Sequence, residues 1–172
     1  MLEIQLYTSS NTNAKVNYSV SGGTLPPGTT ISNDGLISGN LTPVKNDRNY
    51  IFTIKAYTAN SAIYRTYNYK QTGDINAPYV FNWISNVNLG NLMENTLTNI
   101  KLNYFYSGSD GINFSLTGGT LPTGLNIGSN GVIFGTTPTL AMNTSYSFTV
   151  TAKNNNISSS NTFNLKIISG VQ

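Results

Sequence analysis

The sequence predicts an all-β protein of two tandem β-sandwich domains, and three observations carry that prediction. Apolar and polar residues alternate along most of the chain, the pattern of strands with one buried face. A stretch rich in Gly, Pro and turn residues occurs twice, as Gly22-Gly23-Thr24-Leu25-Pro26 through Gly39 and as Gly118-Gly119-Thr120-Leu121-Pro122 through Gly135, 96 residues apart. That spacing within 172 residues points to two domains, each near the usual size of a β-sandwich.

The offset extends well beyond the duplicated stretch. Ile4 and Leu6 match Ile100 and Leu102, and Val16, Tyr18 and Val20 match Ile112, Phe114 and Leu116. Tyr50, Phe52, Ile54 and Ala56 match Tyr146, Phe148, Val150 and Ala152, while Tyr67 and Tyr69 match Phe163 and Leu165. Each set has period two, so it marks a core face. The alternate residues, Ile51, Thr53 and Lys55 in the first copy and Ser147, Thr149 and Thr151 in the second, mark a solvated one.

In chain order, the first copy is expected to hold strands near 2–8 and 15–21, a hairpin at 29–38, and longer strands near 50–58 and 63–71. The second repeats them near 98–106, 111–117, 125–134, 146–153 and 161–168. Both hairpins turn at Asn33-Asp34-Gly35 and Ser129-Asn130-Gly131, where the last Gly supplies the positive φ of a tight turn. Thr24-Leu25-Pro26 and Thr120-Leu121-Pro122 read as extended, because a residue before Pro is held out of the helical region. Leu89 to Leu97 is the one weak helical candidate, interrupted by Asn and Gly.

The copies differ at their starts. Asn76-Ala77-Pro78-Tyr79-Val80-Phe81-Asn82-Trp83-Ile84 reads as a linker and opening strand for the second copy, and its counterpart would precede residue 1. The expected domains are therefore 1–73, lacking its opening strand, and 74–172, linker included. The expectation is a fragment or an extended neighbour; strand donation from a partner chain is the alternative, since an uncovered sheet edge invites pairing.

Composition excludes several chemistries. Without Cys there is no disulfide or thiolate, and without His there is no Ser-His or Cys-His catalysis and no imidazole metal site. The net charge of +3 arises from nine scattered basic and six acidic residues, which is no nucleic-acid footprint. No basic-then-apolar leader begins the chain, and no run approaches a membrane span, so no membrane insertion and no self-directed export are expected. The acids are Glu3, Asp34, Asp47, Asp74, Glu94 and Asp110. Asp34 and Asp110 stand beside Gly, where turns favour Asp, so no carboxylate pair for hydrolysis stands out.

Two binding candidates remain, and no cofactor is implied. Asp74, Asn76 and Asp110 offer a weak calcium site, although calcium usually takes 6–8 oxygens including several carboxylates; an ordinary turn is the alternative. Tyr57, Tyr64, Tyr79 and Trp83 offer aromatic faces for a glycan or protein, with packing between the domains as the alternative for Tyr79 and Trp83.

The motif residues Gly23, Leu25, Pro26, Gly28, Gly35, Ile37, Gly39, Tyr50, Phe52 and Ala56 resemble an immunoglobulin-like repeat family of bacterial surface and phage virion proteins, related to dystroglycan-type cadherin-like repeats. Gly119, Leu121, Pro122, Gly124, Leu125, Gly131, Ile133, Gly135, Thr136, Pro138, Tyr146, Phe148 and Ala152 match it more closely. The first copy departs at Thr29 and at Asn40-Leu41-Thr42-Pro43. The resemblance implies Greek-key sandwiches serving as spacers or binding modules, with no catalytic residues. The expected role is a structural, decoration or attachment module of a phage virion, in contact with other subunits of the assembly through the open edge of the first domain. The alternatives are a fragment of a cell-surface adhesin and a carbohydrate-binding accessory domain. The expected location is the virion or the cell surface.

Overall fold

A computed structural model describes residues 1–9 and 14–170; residues 10–13 and 171–172, inside the ranges expected for the two domains, lie outside it. The described residues form strands and turns without helix. The chain divides into two compact units, Met1–Pro78 and Tyr79–Gln172. Residues 74–78, expected to open the second domain, are bonded to the first unit. The Asp74 amide donates to the Val44 carbonyl at 2.8 Å. Lys45 Nζ donates to the Ile75 carbonyl at 2.7 Å, and Ala77 is buried.

The first unit contains β1 (Leu2–Gln5), β2 (Asn17–Gly23), β3 (Thr29–Ile31), β4 (Leu36–Gly39), β5 (Arg48–Tyr57) and β6 (Ala62–Gln71). One sheet has the order β1-β4-β3 and the other β2-β5-β6, with antiparallel pairing throughout. The face expected to be core is core: Phe52, Ile54 and Ala56 are buried with Leu6, Tyr18 and Ile37. Leu25, Tyr50, Tyr67 and Tyr69 pack around them.

The second unit contains β7 (Phe81–Trp83), β8 (Asn88–Met93), β9 (Leu97–Lys101), β10 (Tyr104–Tyr106), β11 (Asn113–Gly119), β12 (Leu125–Ile127), β13 (Val132–Thr136), β14 (Thr144–Lys153) and β15 (Ser158–Ile168). Its sheets are β12-β13-β9 and β11-β14-β15-β8, with β10-β7 as a separate pair. Six of these strands repeat the first unit strand for strand, down to the bulge between Val20 and Gly22 that recurs between Leu116 and Gly118. Strands β7, β8 and β10 are additional.

Two expectations are corrected here. The strand expected over 98–106 is broken, because the chain leaves β13 after Lys101 and joins β7 at Tyr104. Leu102, fully buried at that crossing, donates its amide to the Gly131 carbonyl at 2.9 Å. The weak helical candidate Leu89 to Leu97 holds no helix: up to Met93 it is β8, parallel to β15 along its edge, and a turn then leads to β9 at Leu97. Asn88 pairs with Asn164 and Asn91 with Lys166, so β8 carries one extra residue in a bulge beside Gly90, whose φ is +94°. The bulge turns Leu89 and Leu92, three apart, onto the same core. A spacing of three is also one turn of a helix, which explains the misreading.

Candidate binding interface

Five of the six carboxylates have partners within the fold. Asp34 pairs with Lys15 at 3.1 Å. Asp47 pairs with Lys70 at 2.8 Å and accepts the Gly73 amide at 2.9 Å. The Lys70 partner and the Gly73 amide hold the Asp47 carboxyl below its usual range, and the same pairing raises Lys70. Glu94 ties down two loops, accepting the Leu140 amide at 2.8 Å and the Gly170 amide at 3.0 Å.

The three calcium candidates are not brought together as a donor set. Asp74 accepts the Asn76 amide at 2.9 Å and so closes its own turn, and it belongs to the first unit. Asp110 belongs to the second and accepts Asn156 Nδ2 at 2.8 Å. Among the described residues no three His, Cys, Asp or Glu side chains gather around one point.

The aromatic candidates separate as well. Trp83 is half-buried within the second unit. Its ring meets the edges of Phe114 at 5.8 Å and Phe163 at 5.4 Å, and its Nε1 donates to Ser159 Oγ at 3.1 Å. It is a packing residue there, not an exposed platform. Phe81 stacks on Tyr104 beside it. Tyr79 is partly exposed and stacks on Tyr106 at 5.9 Å.

Tyr57 and Tyr64 stand on the outer face of the first unit. Directly opposed pairs across β5 and β6 share a face, and here they are Ile51 with Asn68, Thr53 with Thr66, Lys55 with Tyr64 and Tyr57 with Ala62. Ile51 and Tyr64 are exposed, and Lys55 Nζ lies 4.8 Å from the centre of the Tyr57 ring. The matching face of the second unit carries Ser147, Thr149, Thr151, Ser158, Ser160 and Thr162. Its hydroxyls bond one another, Thr117 to Thr151 at 2.7 Å, Thr151 to Ser160 at 2.7 Å and Thr149 to Thr162 at 2.9 Å. The first unit keeps one such pair, Thr53 with Thr66 at 2.8 Å, amid an apolar and aromatic patch. Ile51 and Lys55, which the period of two marks only as solvated alternates to the core, belong to this patch.

The motif residues explain the shared frame. The hairpin glycines Gly35 and Gly131 have φ of +86° and +76°. Pro26 and Pro122 are fully buried, and their carbonyls accept the Thr29 and Leu125 amides. Thr137, buried, donates its hydroxyl to the Met93 carbonyl at 2.7 Å and accepts the Thr96 amide at 2.8 Å, so it anchors the turn between β8 and β9.

The sequence matches the family described as Putative Ig domain over residues 2–72 and again over 64–168. No curated protein matches it. Among solved structures, an endo-fucoidan hydrolase of glycoside hydrolase family 107 is 18% identical, with a TM-score of 0.47, over 92% of this chain and 24% of its own. The extracellular domain of protocadherin gamma-B4 is 12% identical, with a TM-score of 0.42, over 90% of this chain and 28% of its own. The first three extracellular repeats of mouse protocadherin-24 are 17% identical, with a TM-score of 0.41, over 90% of this chain and 58% of their own. The chain thus spans less than two thirds of the length of each. With two matches that together run from residue 2 to residue 168, on two sandwiches of the same strand order, this chain belongs to the Putative Ig domain family and carries it in two tandem copies.

Proposed function

We propose that the chain is a non-enzymatic structural or attachment module of a phage virion, a decoration of capsid, neck, tail or fibre. One observation carries the reading: the same sandwich is built twice in tandem, and five of its six carboxylates are bound within the fold instead of facing a common cleft. A two-carboxylate hydrolase needs the opposite arrangement. The uncharged Ser/Thr face of the second unit and the absence of Cys and His suit a protein whose work is spacing and contact. Mass spectrometry of purified particles from the phage or prophage whose genome encodes the chain is expected to find it at a fixed copy number, with antibody labelling on intact particles. Recovery only from the bacterial envelope would sink the virion role.

The patch on the outer face of the first unit favours a second reading, adhesion to a cell-surface glycan or protein. Exposed tyrosines present flat apolar faces with a polar tip, and such residues are favoured at interfaces. On this reading the chain binds whole cells, and Tyr64→Ala lowers that binding about tenfold or more while its far-ultraviolet circular dichroism stays unchanged. Equal cell binding by the variant and the parent would exclude the patch.

A further inference from the structure

The two units build one frame with different outer faces, so each serves as a control for the other. On β5 and β6 the first unit turns Lys55, Tyr57 and Tyr64 outward, and on β14 and β15 the second carries Thr151, Lys153 and Ser160 at the same register positions. The sandwich forms with either set, so the fold itself does not call for two tyrosines and a lysine here. Tyr64 is 62% exposed and adds little buried apolar area to the first unit.

Lys55 and Tyr64 stand directly opposite each other across β5 and β6. Side chains paired in this way spring from Cβ atoms about 4.5–5.5 Å apart. Tyr57 follows Lys55 on the same face, and the centre of its ring lies 4.8 Å from the Lys55 ammonium. Among the described residues Lys55 forms no ion pair, and Asp47, next to the far end of β5, is taken by Lys70 at 2.8 Å. On the other side of the Lys55–Tyr64 pair lie the bonded hydroxyls of Thr53 and Thr66, and Ser19 of β2 is opposite Lys55. The face thus offers one bare aromatic ring, one cation beside it and hydroxyls around both.

That combination suits a sugar ring that carries its own carboxylate. The C–H face of a pyranose stacks on a tyrosine ring by dispersion and release of hydration water. In a uronic acid the carboxyl is attached to the ring, so a sugar seated on Tyr64 brings its carboxylate to Lys55 for a charge-assisted hydrogen bond, while its hydroxyls meet those of the threonines. A phosphodiester-linked polyol has the anion but no ring for Tyr64. A densely sulfated glycan calls for clustered basic residues, and this part of the face carries one ammonium. A stable protein partner buries about 800 Å² of each side, whereas Ile51, Lys55, Tyr57 and Tyr64 together present a few hundred at most.

We infer that the outer face of β5 and β6 is a binding site for an acidic polysaccharide of the uronic-acid class: Tyr64 stacks on a sugar ring, Lys55 pairs with its carboxylate, and Tyr57 positions Lys55. The stretch from Ile51 to Tyr57 covers about 20 Å of strand, so neighbouring sugars of the same chain stay over this face. The inference rests on the adhesion reading above and gives its ligand a chemical class.

The test titrates the full isotope-labelled chain with hyaluronan hexasaccharide, with hexagalacturonate and with the carboxyl-reduced form of each, and follows the amide signals of both units by nuclear magnetic resonance. The acidic probes are expected to shift amides of β5 and β6 and to leave β14 and β15 unmoved. The reduced probes are expected to bind at the same place about threefold or more weakly, the scale of an exposed ion pair. Lys55→Gln is expected to abolish the preference for the acidic probes without changing affinity for the reduced ones, and Tyr64→Ala to weaken both about tenfold. No shift in β5 and β6 with either acidic probe would overturn the site, as would equal shifts in β14 and β15. Equal affinity for acidic and reduced probes would overturn the acidic class. Cell binding that survives periodate oxidation of surface glycans but not protease treatment would give the face to a protein, which overturns the inference and leaves adhesion standing. Saccharide binding of the expected pattern without binding of cells would remove the adhesion reading alone.

Discussion

Gly135→Ala is expected to destabilise the second unit by more than about 3 kcal/mol. Gly135 has φ of +128°, and a Cβ built there would stand 2.0 Å from the Gly124 carbonyl oxygen and 3.1 Å from its carbon. Both are backbone atoms of the paired segment leading into β12, so no side chain can rotate away. The positive φ costs about 1–3 kcal/mol for a residue with a side chain. Forced displacement of packed neighbours costs about 1–3 kcal/mol more. Trp83 is the single tryptophan of the chain and is packed against Phe114 and Phe163, so the red shift of its emission reports unfolding of this unit. Urea titration followed at that signal should show the midpoint falling by roughly 1.5 M or more, for an m of about 2 kcal/mol per M. A shift below about 0.5 M would mean that the strand pair relaxes freely around the new methyl. The equivalent Gly39→Ala meets the Gly28 carbonyl oxygen at 2.1 Å and should act alike in the first unit.

Phe148→Ala is expected to cost about 3–5 kcal/mol, because truncating a buried phenylalanine loses its transfer free energy and leaves a cavity. Phe148 is 1% exposed at the centre of β14, with Phe163 tilted across it at a centroid distance of 6.3 Å. The surrounding Ile133, Val150 and Leu165 are themselves fully buried and held in paired strands, and Leu102 is fully buried at the crossing between β9 and β10, so the site cannot collapse cheaply. The check is the same tryptophan transition. Phe52→Ala, its counterpart, should cost less, read from exchange protection of β5. Phe52 is 4% exposed, and its stacking partner Tyr67 borders an open cleft of about 100 Å³ lined also by Tyr18, Ile54 and Ile63, so part of that core already meets solvent. If Phe52→Ala cost the first unit as much as Phe148→Ala costs the second, the cleft would not be weakening the first core.

Much of this was legible before any coordinates. Side-chain direction in a strand alternates with every residue, so Tyr50, Phe52, Ile54 and Ala56 announced a buried face by period alone. The turn glycines were legible because L-residues rarely adopt positive φ. The run from Leu89 to Leu97 was not, because a bulge breaks the period of two on which strand reading depends. Trp83 was misplaced for another reason. An aromatic residue near a linker looks the same whether its ring is covered or bare, and Phe114 and Phe163, which cover it, lie far along the chain. The same holds for Ile51 and Lys55, whose partners across the sheet decide whether they form a patch.

By itself, then, the sequence determined the strand pattern, the tandem repeat and the sandwich class, because these follow from local periodicity and from the comparison of one copy with the other. Only the tertiary structure decided that Trp83 packs inside the second unit against Phe114 and Phe163, and that Lys55, Tyr57 and Tyr64 gather on one outer face of the first. Strand pairing joins residues that are remote in sequence, and the exposure of a side chain is a property of what lies across from it.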